Sequence, residues 1–548
     1  MTGISDSGSS SSNFSGSGPH RSIAFPKSKM EIQLDNYFKA KVYTSGDSIT
    51  GTVTIVPQRN IPFDEFEIVL LGTTHSRVEH VSAPIESSHV FLKLFMPIAE
   101  DAYPVPRVLE AHQTYTLPIH FVVPHHLTLS ACSHKVVSPH VHDHHMRLPP
   151  TLGRGNGSGA AAAWERDDMA PEMARVEYTV KARVYRETLK EDGSGRSTRV
   201  KIVEATQPIR VLPTSKIDPP LSVSEKDRAY KLQSSKSIRK GLFARSKLGR
   251  VTAITGNDSI GAPEPTPIVL RPDGIAASPT NAFVQLYFDP ARPDVAPPRV
   301  TSVSAKLNAH TYYSTGAITT FPNLGDWAHS DNVLMERRGS YATSVTLLNN
   351  SLKTFQWEAK VDNGRRDSGY CSSDSGGREE MVTGSGSGGN ARRRSSASSP
   401  SSSKEMGLVY AAPLIVPLEL PMHKRTFLPT FHSCIVSRTY SLQLNISMVP
   451  ASSTSSSSSS SSSGSTTTVS VSVPVQIVVG DANDASISGM PTIAASQYYY
   501  NEDAAGLPSF DDALEEAEAD AHLMPRVMAV PDTQYQETSV LPGYSGRQ

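Results

Sequence analysis

Apolar and polar residues alternate with a period of two along much of this chain. Tyr115, Leu117, Ile119, Phe121 and Val123 form one apolar face, and Val176, Tyr178, Val180, Ala182 and Val184 form another. Successive side chains of a strand point to opposite faces, so each run predicts a strand with one buried and one wet face. Residues 49–55, 66–71, 200–203 and 283–288 read the same way. Late in the chain, Tyr440, Leu442, Leu444, Ile446 and Met448 alternate, as do Val469, Val471, Val473, Val475, Ile477 and Val479. Turn residues such as Ser45-Gly46-Asp47 and Pro124 punctuate the runs. The pattern is that of antiparallel sandwiches, in a first block over 30–213 and a second over 265–480. The main helical candidate is 509–522, where Ser509 can cap and Asp511, Asp512, Glu515 and Glu516 suit a helix N-terminus. With so little helix between strands, the pattern argues against a βαβ enzyme.

Composition then divides the chain. Residues 1–29, 363–405 and 451–467 are rich in Ser and Gly, with an unbroken serine run from Ser455 to Ser463. Such tracts cannot bury enough apolar surface to offset chain entropy, and they are expected to be disordered, as is the acidic tail 481–548. They account for a hydrophobic content of 38% over 548 residues. The net charge of -1, from 52 Lys and Arg against 53 Asp and Glu, conceals a basic segment at 214–264 set against that acidic tail. Bulk charge therefore steers the protein to neither nucleic acid nor membrane. The N-terminus lacks a charged segment followed by an apolar core, and no run reaches the ~18 apolar residues of a membrane span, so a cytoplasmic protein is expected. Cys132, Cys371 and Cys434 are too scattered for a disulfide framework or a C-x-x-C metal site, and Cys434 reads as a core residue.

Several motifs, taken in order, resemble the arrestin-like family, and fungal arrestin-related trafficking adaptors in particular. Asn36-Tyr37-Phe38 followed by Tyr43-Thr44-Ser45-Gly46-Asp47-Ser48-Ile49-Thr50-Gly51-Thr52-Val53 is similar to the opening of the family's N-domain. Pro106 to Ala111, Tyr115 to Pro118, Phe121 to Pro124, His145 to Gly153 and Asp168 to Tyr178 resemble its later strands and loops. Leu420-Pro421, Phe427 to Cys434 and Ser437-Arg438-Thr439-Tyr440 resemble the C-domain. The resemblance implies two antiparallel immunoglobulin-like β-sandwich domains. It also implies a non-enzymatic adaptor that binds cytosolic tails of membrane transporters or receptors and recruits a WW-domain HECT ubiquitin ligase for endocytosis. Peripheral recruitment to the plasma membrane or endosomes follows from the same resemblance.

The family's ligase contact is Pro-Pro-x-Tyr, which lays a polyproline turn in an aromatic groove beside a tyrosine pocket. Here Leu541-Pro542-Gly543-Tyr544 has Leu for the first Pro, and Leu507-Pro508-Ser509-Phe510 has Phe for Tyr. The basic segment includes Lys236, Arg239, Lys240, Arg245, Lys247 and Arg250, candidates for anionic lipid or for the acidic tail. Its plainer reading is a solvated linker, and its few aromatics argue against nucleic acid. Arg392-Arg393-Arg394 ahead of Ser395 and Ser396 fits a basophilic kinase site, and 367–372 resembles a phosphodegron. His125, His126, His134, His140, His142, His144 and His145 read as a polar loop. His140 and His142 could serve a cupin-like metalloenzyme only on a strand, and lack a well-placed acid. Gly384-x-Gly386-x-x-Gly389 lies in a Ser/Gly tract with no strand before it and is not a dinucleotide site. No cofactor is expected. A signalling scaffold that binds receptor tails without a ligase is the alternative to the adaptor.

Overall fold

The alternating runs form strands, and their apolar faces meet across facing sheets. The computed structural model describes residues 28–38, 41–80, 83–153, 164, 166–189, 197–219, 223–224, 226–240, 246–255, 267–328, 337–351, 355–361, 408–451 and 466–480. In the first block Lys29–Leu34, Ser48–Val56 and Tyr115–Val122 make one antiparallel sheet. The second sheet runs Val42–Tyr43, Ser197–Val211, Ala174–Leu189, Glu65–Val78, Ile85–Phe95, and is antiparallel except where Val42–Tyr43 joins in parallel. Ile49, Val53, Leu117 and Phe121 from one sheet bury against Ile68, Leu70, Tyr178 and Val180 from the other. Gly51, in the motif Ile49-Thr50-Gly51-Thr52-Val53, has a steric reason: a Cβ there would fall 2.2 Å from the Gln33 carbonyl oxygen on the neighbouring strand.

In the second block one antiparallel sheet runs Gln233–Lys240, Ser246–Ile254, Thr280–Pro290, Leu408–Leu418, Glu358–Val361. The other centres on Arg299–Ser314 paired with Arg338–Ser351 and with Val436–Val449, which also pairs with Thr467–Val475. Val251, Leu286 and Leu414 of the first meet Ala305, Leu444 and Val471 of the second in one core. The expected all-β architecture of antiparallel sheets is what forms, and among the described residues the only α-helices are Pro139–His145 and Leu324–Ala328.

Two expectations change. The basic segment is not a bare linker: Gln233–Lys240 and Ser246–Ile254 form a hairpin on the sheet edge, anchored by buried Ile238, Val251 and Ala253. The histidine stretch is not all loop, because Pro139–His145 is helical, with Ser138 accepting a hydrogen bond from the Val141 amide at its N-terminus.

Candidate functional site at the junction of the two blocks

The blocks meet along loops that the sheets hold in place. The hydrophobic cluster of the first block continues into Leu307, Phe427, Leu428, Val436 and Tyr440 of the second. Ile268–Leu270 pairs in parallel with Ile477–Val479 in the same cluster. Polar contacts cross the junction as well: Ser76 Oγ donates to the Ser314 carbonyl at 2.7 Å, and the Val137 amide to the Thr319 carbonyl at 3.0 Å.

Arg438 lies at the centre of this junction with 0% of its surface exposed. Its Nε donates to Thr311 Oγ1 at 2.8 Å, and its two terminal nitrogens donate to the carbonyls of Asp168 and Met169, each at 3.1 Å. The Asp168 carboxylate beside it accepts from the Gly153 amide at 2.6 Å and the Ala170 amide at 3.1 Å. Burial pushes the Asp168 carboxyl above the usual carboxylate range, while Arg438 and those amides pull it back. Next to this pair, Arg425 bonds Asp167 and the Thr426 amide donates to the Asp167 carbonyl. A cleft of about 860 Å³ opens here, lined among others by Arg77, Glu86, Arg166, Asp167 and Arg175. It carries both signs of charge, several of them paired, Arg77 with Glu79 and Glu86 and Arg175 with Glu177, so it does not select one sign of ligand.

A second cluster lies on the loop between Tyr115–Val122 and Ala174–Leu189. The loop is pinched at its base, where His126 pairs with Arg147 and the Leu127 amide donates to the Met146 carbonyl at 2.9 Å. This closure gathers Cys132, His134 and His145, and Cys434 of the second block joins them. Cys132, His145 and Cys434 are buried and His134 is partly so. Cys132 Sγ lies 3.5 Å from His134 Nε2 and 3.6 Å from His145 Nδ1. Burial, then the neighbouring Cys132, pushes the Cys434 thiol up to about 12. His140, His144, Phe321 and His432 meet edge to face in a separate ring cluster alongside.

Of the residues singled out in the sequence, Lys236, Arg239, Lys247 and Arg250 are exposed on the edge hairpin, with Arg239 opposite Lys247 in the register. Lys240 ends its first strand. Arg245, Ser395, Ser396, Leu507, Pro508, Phe510, Leu541, Pro542 and Tyr544 lie outside the described residues, as do 367–372, 384–389 and the helical candidate 509–522. His140 and His142 do not form a convergent pair, since residues two apart on a helix point to different sides. Missed were Arg438, although its parity with Tyr440 and Leu442 puts it on the buried face of that alternation, and the Cys132-x-His134 spacing with His145, whose partner Cys434 is supplied by the other block.

No protein-family model matches the chain, and no curated protein matches it. Among the described residues no helix is long and apolar enough to cross a membrane.

Proposed function

We propose that this protein is a non-enzymatic arrestin-like adaptor that presents membrane-protein cargo to a WW-domain ubiquitin ligase. The observation that supports this reading best is the joining of two facing-sheet blocks, through Arg438 and a continuous hydrophobic cluster, into one scaffold along which the arrestin-like motifs occur in order. A rigid double scaffold suits tethering: holding cargo tail and ligase on one chain makes ubiquitin transfer effectively intramolecular. In this reading Leu541, Pro542 and Tyr544 engage the WW groove, with Leu507, Pro508 and Phe510 as a weaker second copy. The exposed Lys236, Arg239, Lys247 and Arg250 hold the adaptor against an anionic bilayer.

Affinity capture with the full chain, a Tyr544→Ala variant and a chain ending at Gly480 tests the reading. The full chain is expected to capture a WW-domain ligase together with membrane cargo. Both variants are expected to lose the ligase and keep the cargo. Cargo capture without ligase from all three would replace the adaptor with the signalling scaffold.

A further inference from the structure

Cys132, His134, His145 and Cys434 present one ligand atom each, and all four atoms lie within 4.8 Å of one another. A zinc ion with Zn–S of about 2.3 Å and Zn–N of about 2.0–2.1 Å holds a tetrahedron whose sulfur-to-nitrogen edges are about 3.5–3.6 Å. The two such edges seen, 3.5 Å to His134 Nε2 and 3.6 Å to His145 Nδ1, have that length. Hydrogen bonds satisfy these groups singly, with Cys132 able to donate its S–H to one ring and accept an N–H from the other and Cys434 Sγ donating to the Ala131 carbonyl at 3.8 Å, but they do not account for the convergence of all four ligand atoms. His134 Nδ1 lies 3.2 Å from the Lys135 carbonyl. Donation of its N–H there leaves the Nε2 lone pair facing the cluster, which is how a backbone carbonyl orients a metal-bound histidine.

The scaffold around the cluster is already fixed. Cys132 follows a short turn at Leu129–Ala131, and His145 closes the helix Pro139–His145. Cys434 sits in a turn held by the Ser433 hydroxyl, which donates to the Val436 carbonyl at 2.7 Å, and its own carbonyl accepts from the Ile318 amide at 2.7 Å. Three ligands thus come from one loop of the first block and the fourth from the second.

We propose that Cys132, His134, His145 and Cys434 bind one Zn²⁺ in a closed tetrahedral site that cross-links the two blocks. Two thiolates and two neutral imidazoles are a soft and borderline donor set that suits Zn²⁺. Two deprotonated thiols cancel the charge of the ion, so the site is neutral where it is buried; the two protons leave to solvent when the metal binds. All four positions around the ion are filled by protein, so the site is structural and offers no open position for a substrate. Its work is to tie a loop of the first block to a turn far along the chain, where a cross-link constrains the unfolded ensemble most. The inference stands on the side-chain cluster alone and does not depend on the adaptor reading.

The test uses the full chain, purified without an affinity tag and under reducing conditions, with metal measured by mass spectrometry. One zinc per chain is expected, with a fall of at least tenfold in the Cys132→Ala, Cys434→Ala and His134→Gln variants and none in His140→Gln. His134 is only partly buried, so His134→Gln keeps the comparison informative if the cysteine variants fail to fold. On the unaltered chain, exchange of zinc for Co²⁺ is expected to give the visible bands of tetrahedral thiolate coordination, and a chelator is expected to lower the unfolding midpoint. Substoichiometric metal, metal lost equally in His140→Gln, or a Cys132–Cys434 disulfide in protein kept reduced would each overturn the proposal.

Discussion

His310 illustrates how one buried side chain can set the acid response of a sheet. It lies on Arg299–Ser314 at 2% exposure, and its Nε2 is 2.9 Å from Ser441 Oγ, which also receives Asn308 Nδ2 at 3.3 Å. Burial, and then the nearby Arg438 cation, pushes its pKa from the ordinary 6.5 down to about 4, so the fold holds the ring neutral. As pH falls below 6.5 the unfolded chain takes up a proton that the folded chain refuses. Stability is therefore complete above 6.5 and is lost progressively towards 4, at up to about 1.4 kcal/mol per pH unit, reaching roughly 3 kcal/mol. Urea unfolding at a series of pH values should show a shallower acid slope for His310→Gln than for the unaltered chain. His144 and His432, also pushed down by burial, are common to both proteins and cancel in the difference. Identical slopes would show that His310 does not carry the effect.

At the scale of elements, strands whose pattern is clean were legible and those whose charge masks it were not. In Tyr115–Val122 the buried Leu117, Ile119 and Phe121 alternate with exposed positions, and in Val436–Val449 the buried Leu442, Leu444, Ile446 and Met448 alternate with half-buried polar residues, so both were legible. Gln233–Lys240 and Ser246–Ile254 place only a few apolar side chains inward, Ile238, Val251 and Ala253 among them, and the surrounding lysines and arginines made them read as a linker. Pro139–His145 escaped notice because seven residues are too few for a helical period to emerge, and histidine has no strong preference. The hairpin also carries a rival explanation for its charge. Gln233–Lys240 is an edge strand, and charged side chains keep such edges from pairing with other chains. Charge sign separates the two roles. Reversing Lys236, Arg239, Lys247 and Arg250 to Glu preserves edge protection, so solubility should hold. Sedimentation with phosphatidylserine vesicles should fall by about a thousandfold in affinity, at about 1 kcal/mol per cation. Unchanged vesicle binding would leave edge protection as the whole role of these charges.

For the whole molecule, the question is whether the two blocks stand or fall together, and the answer lies in features that no local pattern displays. Separation along the chain hides the meeting of Asp168 with Arg438 and of Cys132 with Cys434, since each pair becomes adjacent only once both sheets of both blocks have formed. Arg438 is the sharper probe of the coupling. Its guanidinium donates to Thr311 Oγ1 of its own block and to the Asp168 and Met169 carbonyls of the other, and its charge eases the burial of the Asp168 carboxyl. Arg438→Met would leave the Asp168 and Met169 carbonyls unsatisfied in a dry junction and remove the cation that eases burial of the Asp168 carboxyl, at about 1–3 kcal/mol for each buried polar group left unpaired. Asp168→Asn removes the carboxyl while retaining an acceptor for the Gly153 amide, so the double variant should recover part of the loss. Denaturant unfolding of the four proteins forms a double-mutant cycle, in which a coupling above about 1 kcal/mol is expected. The unaltered chain should unfold in one transition, and Arg438→Met should separate it into two as the junction loosens before the sheets. Additivity within about 0.5 kcal/mol, together with one transition in every variant, would mean that the hydrophobic cluster alone joins the blocks and that Arg438 is a passenger.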